Sequence, residues 1–463
     1  MIPSPIRILS PIDGSIVAER MPIADAPLAA AIGAARAAQR DWRKTSIAER
    51  AKLCLAAVDA MLAMQDSIVP ELAMQMGRPV RYGAGELSGF AERARHMVSI
   101  AEHALAPVDP GPKEGFKRWI QRDPLGLVLV VAPWNYPFLT AVNTIVPALM
   151  AGNAVLLKHA SQTLLVGERF QAAFDAAGLP KGLFQNLVLT HEQTARLIDT
   201  RAVDQVNFTG SVAGGQAIER AAAGRFLGVG LELGGKDPGY VRDDADIGHA
   251  VETLIDGAFF NSGQSCCGIE RIYVAKSRYG EFVERAVALT KAYVLGNPLD
   301  EATTLGPLVK AEAAAFVRAQ IDGALRAGAK ALIDPKSFAR DKSGTPYMAP
   351  QIVVDVDHQM SLMREESFGP VVGIMAVADD DEAVKLMNDS PYGLSAAIFS
   401  RDADAATRIG QDIETGTVFL NRCDYLDPAL AWTGVKDTGR GVTLSALGYE
   451  ALTRPKSFHL KLA

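Results

Sequence analysis

The spacing of hydrophobic positions changes along the chain. In "APLAAAIGAARAAQRDWR" and "SIAERAKLCLAAVDAMLAMQDSIVPELAMQMG" apolar residues recur three and four apart, which predicts helices through the first hundred residues. Met76-Gly77 has the composition of a helix end. From Gly126 the pattern becomes short apolar runs alternating with helical stretches. "GLVLVVAP", "AVLLKHA", "QVNFTGS" and "GVGLELGG" read as strands. Between them lie helical patterns over Leu139–Met150, "TLLVGERFQAAFDAAG" and "AGGQAIERAAAG". A continuous apolar run marks a strand buried on both faces. Strand and helix in alternation predict a parallel, doubly wound α/β sheet, which binds ligands beyond the carboxyl ends of its strands.

The alternation restarts at Asp243. A helix over Ile247–Ala258, a strand "RIYVA", a helix over Tyr279–Leu295 and further pairs to Leu420 predict a second α/β domain of similar size. Two stretches stand outside both patterns, "FKRWIQRDPLG" (Phe116–Gly126) and the tail "TRPKSFHLKLA". Both read as extended, and strands without a local partner often join the sheet of another subunit.

Composition narrows the class. The 463 residues carry a net charge of −6 and are 49% apolar, which fits a folded soluble protein of more than one domain. No basic block marks a nucleic-acid surface. The four cysteines do not make a disulfide framework and point to a reducing, cytoplasmic setting. Cys54 falls on the apolar face of a predicted helix and reads as core. "MIPSPIRILSPIDG" has no charged leader followed by an apolar run. The most apolar region, Leu125–Met150, is interrupted by prolines and asparagines and is not a membrane span. The histidines lack ligand spacing, so no metal site is predicted.

The chemistry concentrates in "FFNSGQSCCG". Cys266 and Cys267 are adjacent, which suits neither a disulfide nor a chelate, so they pack or one of them reacts. Three further stretches stand out: "APWNYP" and "LELGGKDP" at strand ends, and "EESFGP". Together the four closely resemble the aldehyde dehydrogenase superfamily, from "SPIDGSIVAE" to "GVKDTGRG".

The resemblance implies that Cys266 is the nucleophile, Asn135 an oxyanion donor and Glu232 the general base. A thiolate attacks a carbonyl reversibly, an amide stabilises the oxyanion, and a carboxylate near neutral pKa activates water. It also implies a groove for NAD or NADP held by Trp134, Lys158, Ser161, Gly210, Ser211, Glu366 and Phe368, with Gly210-Ser211 opening a helix toward phosphate. Many NAD-preferring relatives carry Glu where this chain has Ser161, so NADP is expected to serve at least as readily as NAD. A second departure is "GRGV" at Gly439–Val442, where relatives often have Gly-Arg-Glu.

By position, Tyr136, Leu139, Ser265, Cys267, Tyr425 and Trp432 are expected as substrate wall. Arg422 is either an anion ligand at the substrate mouth or a solvated loop charge. "KHASQT" is similar to succinic-semialdehyde dehydrogenases and hints at an anionic aldehyde. The family's plan implies a dinucleotide-binding domain (1–106 and 124–233), a catalytic domain (234–436) and a small oligomerisation element (107–123 and 437–463), assembled as a homodimer or homotetramer. The rival readings are a relative that passes its acyl group to CoA, and a non-catalytic binding member.

Overall fold

The computed structural model describes residues 4–462. Two sheets organise it. The first has six strands in the order Gly439–Arg440, Gly228–Glu232, Gln205–Thr209, Leu127–Val131, Ala154–Lys158, Phe184–Asn186. All pair in parallel except Gly439–Arg440. Leu127–Val131 and Ala154–Lys158 are buried at every position, as their unbroken apolar runs require. The strand order reverses between Leu127–Val131 and Gln205–Thr209. At this switch point the loops after two neighbouring strands diverge and leave a crevice.

The second sheet has seven strands: Lys330–Ala331, Gln351–Val354, Val371–Val377, Ile269–Ala275, Asp237–Val241, Ser395–Phe399, Thr417–Leu420. Only Lys330–Ala331 runs antiparallel. Helices cover both sheets, and the helices of the first hundred residues share one core with the first sheet. Cys54 is fully buried in that core, and burial pushes its thiol up to about 12, so it is inert.

The long helical pattern after Ser46 is two helices, Ile47–Leu62 and Gln65–Met76, bent by 69°. No single helix among the described residues is long and apolar enough to cross a membrane. Gln65–Met76 does end at Gly77, whose φ is +84° and whose N–H closes on the Ala73 carbonyl. A Cβ there would stand 2.6 Å from the Pro307 carbonyl oxygen. The next helix, Val80–Ala104, runs beside Pro137–Met150 at the carboxyl end of the first sheet.

The two extended stretches pair with each other. Phe116–Pro124 runs antiparallel to Thr453–Lys461, with Trp119 stacked on Phe458 at 4.3 Å. Not all of 437–463 joins this ribbon. Gly439–Arg440 completes the first sheet, and the helix Ser445–Glu450 packs on Val80–Ala104.

Gly77→Ala tests the helix stop. Positive φ and the close Pro307 carbonyl together should lower stability by about 1–3 kcal/mol, read as a fall in the thermal unfolding midpoint.

Candidate active site

The paired cysteines lie between the helix Ile247–Phe259 and the strand Ile269–Ala275. Three consecutive left-handed residues turn the chain there: Asn261 (φ 53°), Ser262 (58°) and Gly263 (69°). Asn and Gly are among the residues that adopt this region at least cost. A Cβ on Gly263 would meet the Gly369 carbonyl oxygen at 2.2 Å, so this loop touches "EESFGP" backbone to backbone. Gly235 of "LELGGKDP" makes the matching approach, since its Cβ would stand 2.2 Å from the Cys266 carbonyl oxygen. The Gln264 side chain fixes the turn by donating to the Asn261 carbonyl (3.1 Å) and accepting from the Val309 N–H (2.8 Å).

Asn135 follows the strand Leu127–Val131 at the switch point. Its Nδ2 donates to the Gln264 carbonyl at 3.1 Å. Asn261 Nδ2 returns the link by donating to the Asn135 carbonyl (3.3 Å) and the Gln264 carbonyl (3.1 Å). Beneath both loops lies a buried ion pair, Arg78 with Glu86. Arg78 also donates to the Asn135 carbonyl at 2.6 Å and to Asn261 Oδ1 at 3.3 Å. Its guanidinium sits 4.5 Å from the Tyr136 ring centroid. Glu86 accepts from the N–H groups of Phe138 (2.9 Å) and Leu139 (3.1 Å), two of the free donors that open the helix Pro137–Met150. Asn135 and Cys266 are thus set by one polar network.

Both open onto a cavity of about 920 Å³. All seven residues predicted to hold the dinucleotide also line it: Trp134, Lys158, Ser161, Gly210, Ser211, Glu366 and Phe368. Ser211 caps the helix Val212–Ala222, its Oγ accepting from the Gly214 N–H at 3.2 Å. Trp134 and Phe368 meet edge to face at 5.6 Å. Phe368 stands in a loop tied by Glu270, which accepts from the Ser367 and Phe368 N–H groups and pairs with buried Lys236 at 2.5 Å.

Two titratable groups in this cavity have no ion-pair partner among the described residues. Lys158 is 5% exposed, and burial lowers it to about 8. Glu366 is raised to about 8 by burial first and by repulsion from Glu270 second. A cation and a carboxyl held this way fit a ligand that brings hydroxyls and phosphate. The site therefore suits NAD or NADP.

Glu232 ends the strand Gly228–Glu232 and faces an adjoining cavity of about 210 Å³. Thr443 Oγ donates to it at 2.6 Å and Thr209 Oγ at 3.3 Å. Burial raises its pKa, and the two hydroxyls and Arg93 partly offset the rise. Thr443 comes from the segment in which "GRGV" departs from the family pattern, and it is held by Trp432 through backbone hydrogen bonds of 2.8 and 3.0 Å.

The expected substrate wall is only partly assembled. Tyr136, Ser265 and Cys267 gather next to Cys266. Ser265 Oγ lies 3.5 Å from Cys267 Sγ, and the Tyr136 hydroxyl is buried near Ser265 without a well-formed hydrogen bond among the described residues. Cys267 donates to Asp424 Oδ1 at 3.0 Å. Its neighbour Cys266, burial and Asp424 hold its pKa well above the thiol range, so it remains a thiol. Leu139 packs on Gly89 and lends its carbonyl to Arg93. Tyr425 donates to Glu92 at 2.7 Å. Arg422 is exposed and stacks on the Tyr425 ring at 4.0 Å, as a solvated loop charge does. Trp432 is core, 5% exposed, and acts through Thr443.

Arg78, Glu86, Arg93 and Asp424 escaped the sequence reading. A signal existed for two of them. Glu86 and Arg93 sit on the same helical stripe as Leu87, Phe90, Ala94 and Met97, and a charge on a core face asks for a partner.

The family model for the aldehyde dehydrogenase family matches residues 3–458, and the chain belongs to that family. It is 35% identical over 456 residues to a succinate-semialdehyde dehydrogenase [NADP(+)] of Mycobacterium avium (strain 104), covering 98% of this chain and 96% of the relative. It is 36% identical over 429 residues to an aldehyde dehydrogenase of Paenarthrobacter nicotinovorans, covering 92% and 93%. The NADP-dependent glyceraldehyde-3-phosphate dehydrogenase from Bacillus halodurans C-125, solved with NADP, superposes with a TM-score of 0.93 at 32% identity, covering 99% and 96%. The protein is an NAD(P)-dependent oxidoreductase acting on small aldehydes.

Two outcomes follow from this geometry. Arg78→Met leaves Glu86 buried and unpaired, which should cost about 3–5 kcal/mol in denaturant unfolding. Thr443→Val removes a donor that favours ionised Glu232. Its pKa should rise further, so the acid limb of the kcat profile should move to higher pH.

Proposed function

We propose that Cys266, Asn135 and Glu232 divide the oxidation of an aldehyde to a carboxylic acid among them. The Cys266 thiolate attacks the carbonyl carbon and forms a thiohemiacetal. Asn135 Nδ2 and the Cys266 N–H donate to the oxygen that gains negative charge. The nicotinamide, when bound, supplies the two-electron oxidant that turns this adduct into a thioester. Glu232 then leaves Thr443 and takes a proton from the water that attacks the thioester carbonyl. The acid leaves, and the Cys266 sulfur departs as thiolate. Retention of a desolvated Glu232 beside its own cavity supports hydrolysis over transfer to CoA, because CoA needs no activated water.

In this reading Lys158 and Ser161 hold the adenosine ribose, Gly210 and Ser211 face the diphosphate, and Glu366 bonds the nicotinamide ribose. Trp134 and Phe368 flank the ring. Ser161 brings no negative charge against a 2′-phosphate and Lys158 attracts one, so NADP serves at least as well as NAD. The substrates named for two relatives, succinate semialdehyde and glyceraldehyde 3-phosphate, carry an anion remote from the aldehyde. We extend that property to this chain. The ribbon of Phe116–Pro124 and Thr453–Lys461 leaves strand edges open, which supports a homodimer or homotetramer.

The observation that carries the reading is the convergence of Asn135 and Cys266 on the cavity lined by the cofactor residues. Cys266→Ser should abolish oxidation of every aldehyde in a panel assayed with both cofactors, while Cys267→Ser keeps measurable turnover. Full-speed oxidation by Cys266→Ser would overturn the mechanism. Ser161→Glu should reduce kcat/KM for NADP roughly 100-fold against NAD, through direct charge repulsion.

A further inference from the structure

The larger cavity is also lined by a histidine that the mechanism does not use. Lys158 ends the strand Ala154–Lys158, and Phe184–Asn186 is its neighbour in the sheet. The helix His191–Asp199 follows that neighbour, with His191 at its first position. His191, Thr194 and Ala195 line the cavity together with Lys158, Ser161 and Gln162.

This helix start leaves donors free. Thr190 and Gln193 form a capping box: Thr190 Oγ1 accepts from the Gln193 N–H at 3.1 Å, and Gln193 Oε1 accepts from the Thr190 N–H at 2.9 Å. The N–H groups of His191 and Glu192 remain without intrahelical acceptors. Their end of the helix carries partial positive charge and favours an anion. A helix start alone is no evidence of a ligand. Here a second group points the same way, for the Lys158 ammonium is 5% exposed and lines the cavity with no ion-pair partner among the described residues.

His191 is exposed toward this space. Burial lowers its pKa first, and the charge of Lys158 lowers it further. The helix start acts in the same direction. Lys310, Glu312 and Glu366 line the cavity too, but none of them shifts His191. The helix Val212–Ala222 packs on His191–Asp199 and presents only Gly214, Ala217 and Ile218 to the cavity. On its own helix, Glu192 is exposed outside the cavity lining, and Arg196 is paired with Asp25. With the cavity empty, His191 is therefore mainly neutral at neutral pH.

We propose that His191 completes the subsite for the 2′-phosphate of NADP and takes up a proton when that phosphate binds, so that the choice between NADP and NAD follows pH. This rests on the reading that Lys158 and Ser161 hold the adenosine ribose. A phosphate carrying nearly two negative charges reverses the balance that keeps the ring neutral. The proton comes from solvent, and the imidazolium donates a charge-assisted hydrogen bond to a phosphate oxygen. NAD offers only a hydroxyl at that place. Binding of NADP thus raises the pKa of His191 above its value in the empty protein. Its help to NADP is full below that lower value and is lost as pH rises through the bound one.

The test is calorimetric titration of the protein with NADP and with NAD at about pH 6 and about pH 8. His191→Asn should lower the ratio of the NAD Kd to the NADP Kd roughly 10-fold at the acid pH and much less at the alkaline pH. The 2′-phosphate titrates in the same range, so the comparison is between the two proteins at each pH. Titrations in two buffers of different ionisation enthalpy count protons. NADP binding should take up more protons in the wild type than in His191→Asn, a difference that NAD binding does not show. His191→Lys keeps its charge at both pH values, so it should restore the NADP preference and carry it to the alkaline pH. Equal Kd ratios and equal proton counts in wild type and His191→Asn would overturn the proposal. So would a loss in His191→Lys as large as in His191→Asn, which would show a role for ring shape and not for charge. Failure of the underlying reading is separate: Lys158→Met would then leave the binding of both cofactors unchanged.

Discussion

The site depends on a buried ion pair that lines neither of its cavities. Arg78 and Glu86 are 2% and 0% exposed at the side chain. Such a pair adds little net stability, because taking two charges out of water costs about what their attraction returns. Its value here is geometric. Arg78 reaches the Asn135 carbonyl and Asn261, while Glu86 reaches two N–H groups at the start of Pro137–Met150. Asn135 and the turn before Cys266 come from different sheets and lie over a hundred residues apart in the chain. One planar cation with several fixed donors ties them together more rigidly than apolar packing would. Misplacement by about 1 Å can cost an enzyme about 100-fold in rate.

Close backbone approach supplies the rest of the precision. Gly263 meets Gly369, and Gly235 meets the Cys266 carbonyl. In each case two motifs widely separated in sequence touch where a single methyl group would hold them apart. These glycines matter for their missing side chains. Cys266 is therefore tied to the loop that carries Glu366 and Phe368. In the proposed mechanism thiol attack and cofactor placement would share one rigid frame, which is what near-attack geometry demands.

Much of this was legible in the chain. The strands were visible because parallel sheets covered on both faces leave unbroken apolar runs, and Leu127–Val131 and Ala154–Lys158 are of that kind. The residues expected to hold the cofactor sit in short motifs, most of them at strand ends, and line one cavity. The pairing of Phe116–Pro124 with Thr453–Lys461 was not, since two extended stretches hundreds of residues apart carry no sign of which partner each takes. The role of Trp432 was hidden for a similar reason. It acts through its backbone on Thr443, and backbone contacts leave little trace in residue type. Glu86 and Arg93 were legible in principle as charges on a core stripe, but their partners are the tertiary fold's to choose.

Unpaired buried polarity gives the site a common logic. Lys158 and Glu366 face the larger cavity with lowered and raised pKa values, each chiefly through burial. Two other buried charges are paired: Lys236 has Glu270, and Arg78 has Glu86. The contrast locates the ligands. A fold that pairs its structural charges and leaves others desolvated and open has stability to gain when a complementary molecule arrives. Glu232 follows the same rule in milder form, for two threonine hydroxyls hold it only by neutral hydrogen bonds. Those bonds are weak enough to exchange for water, and burial raises the proton affinity of the carboxylate. The burial that shifts Lys158, Glu232 and Glu366 is thus also what prepares the pocket for acid–base chemistry.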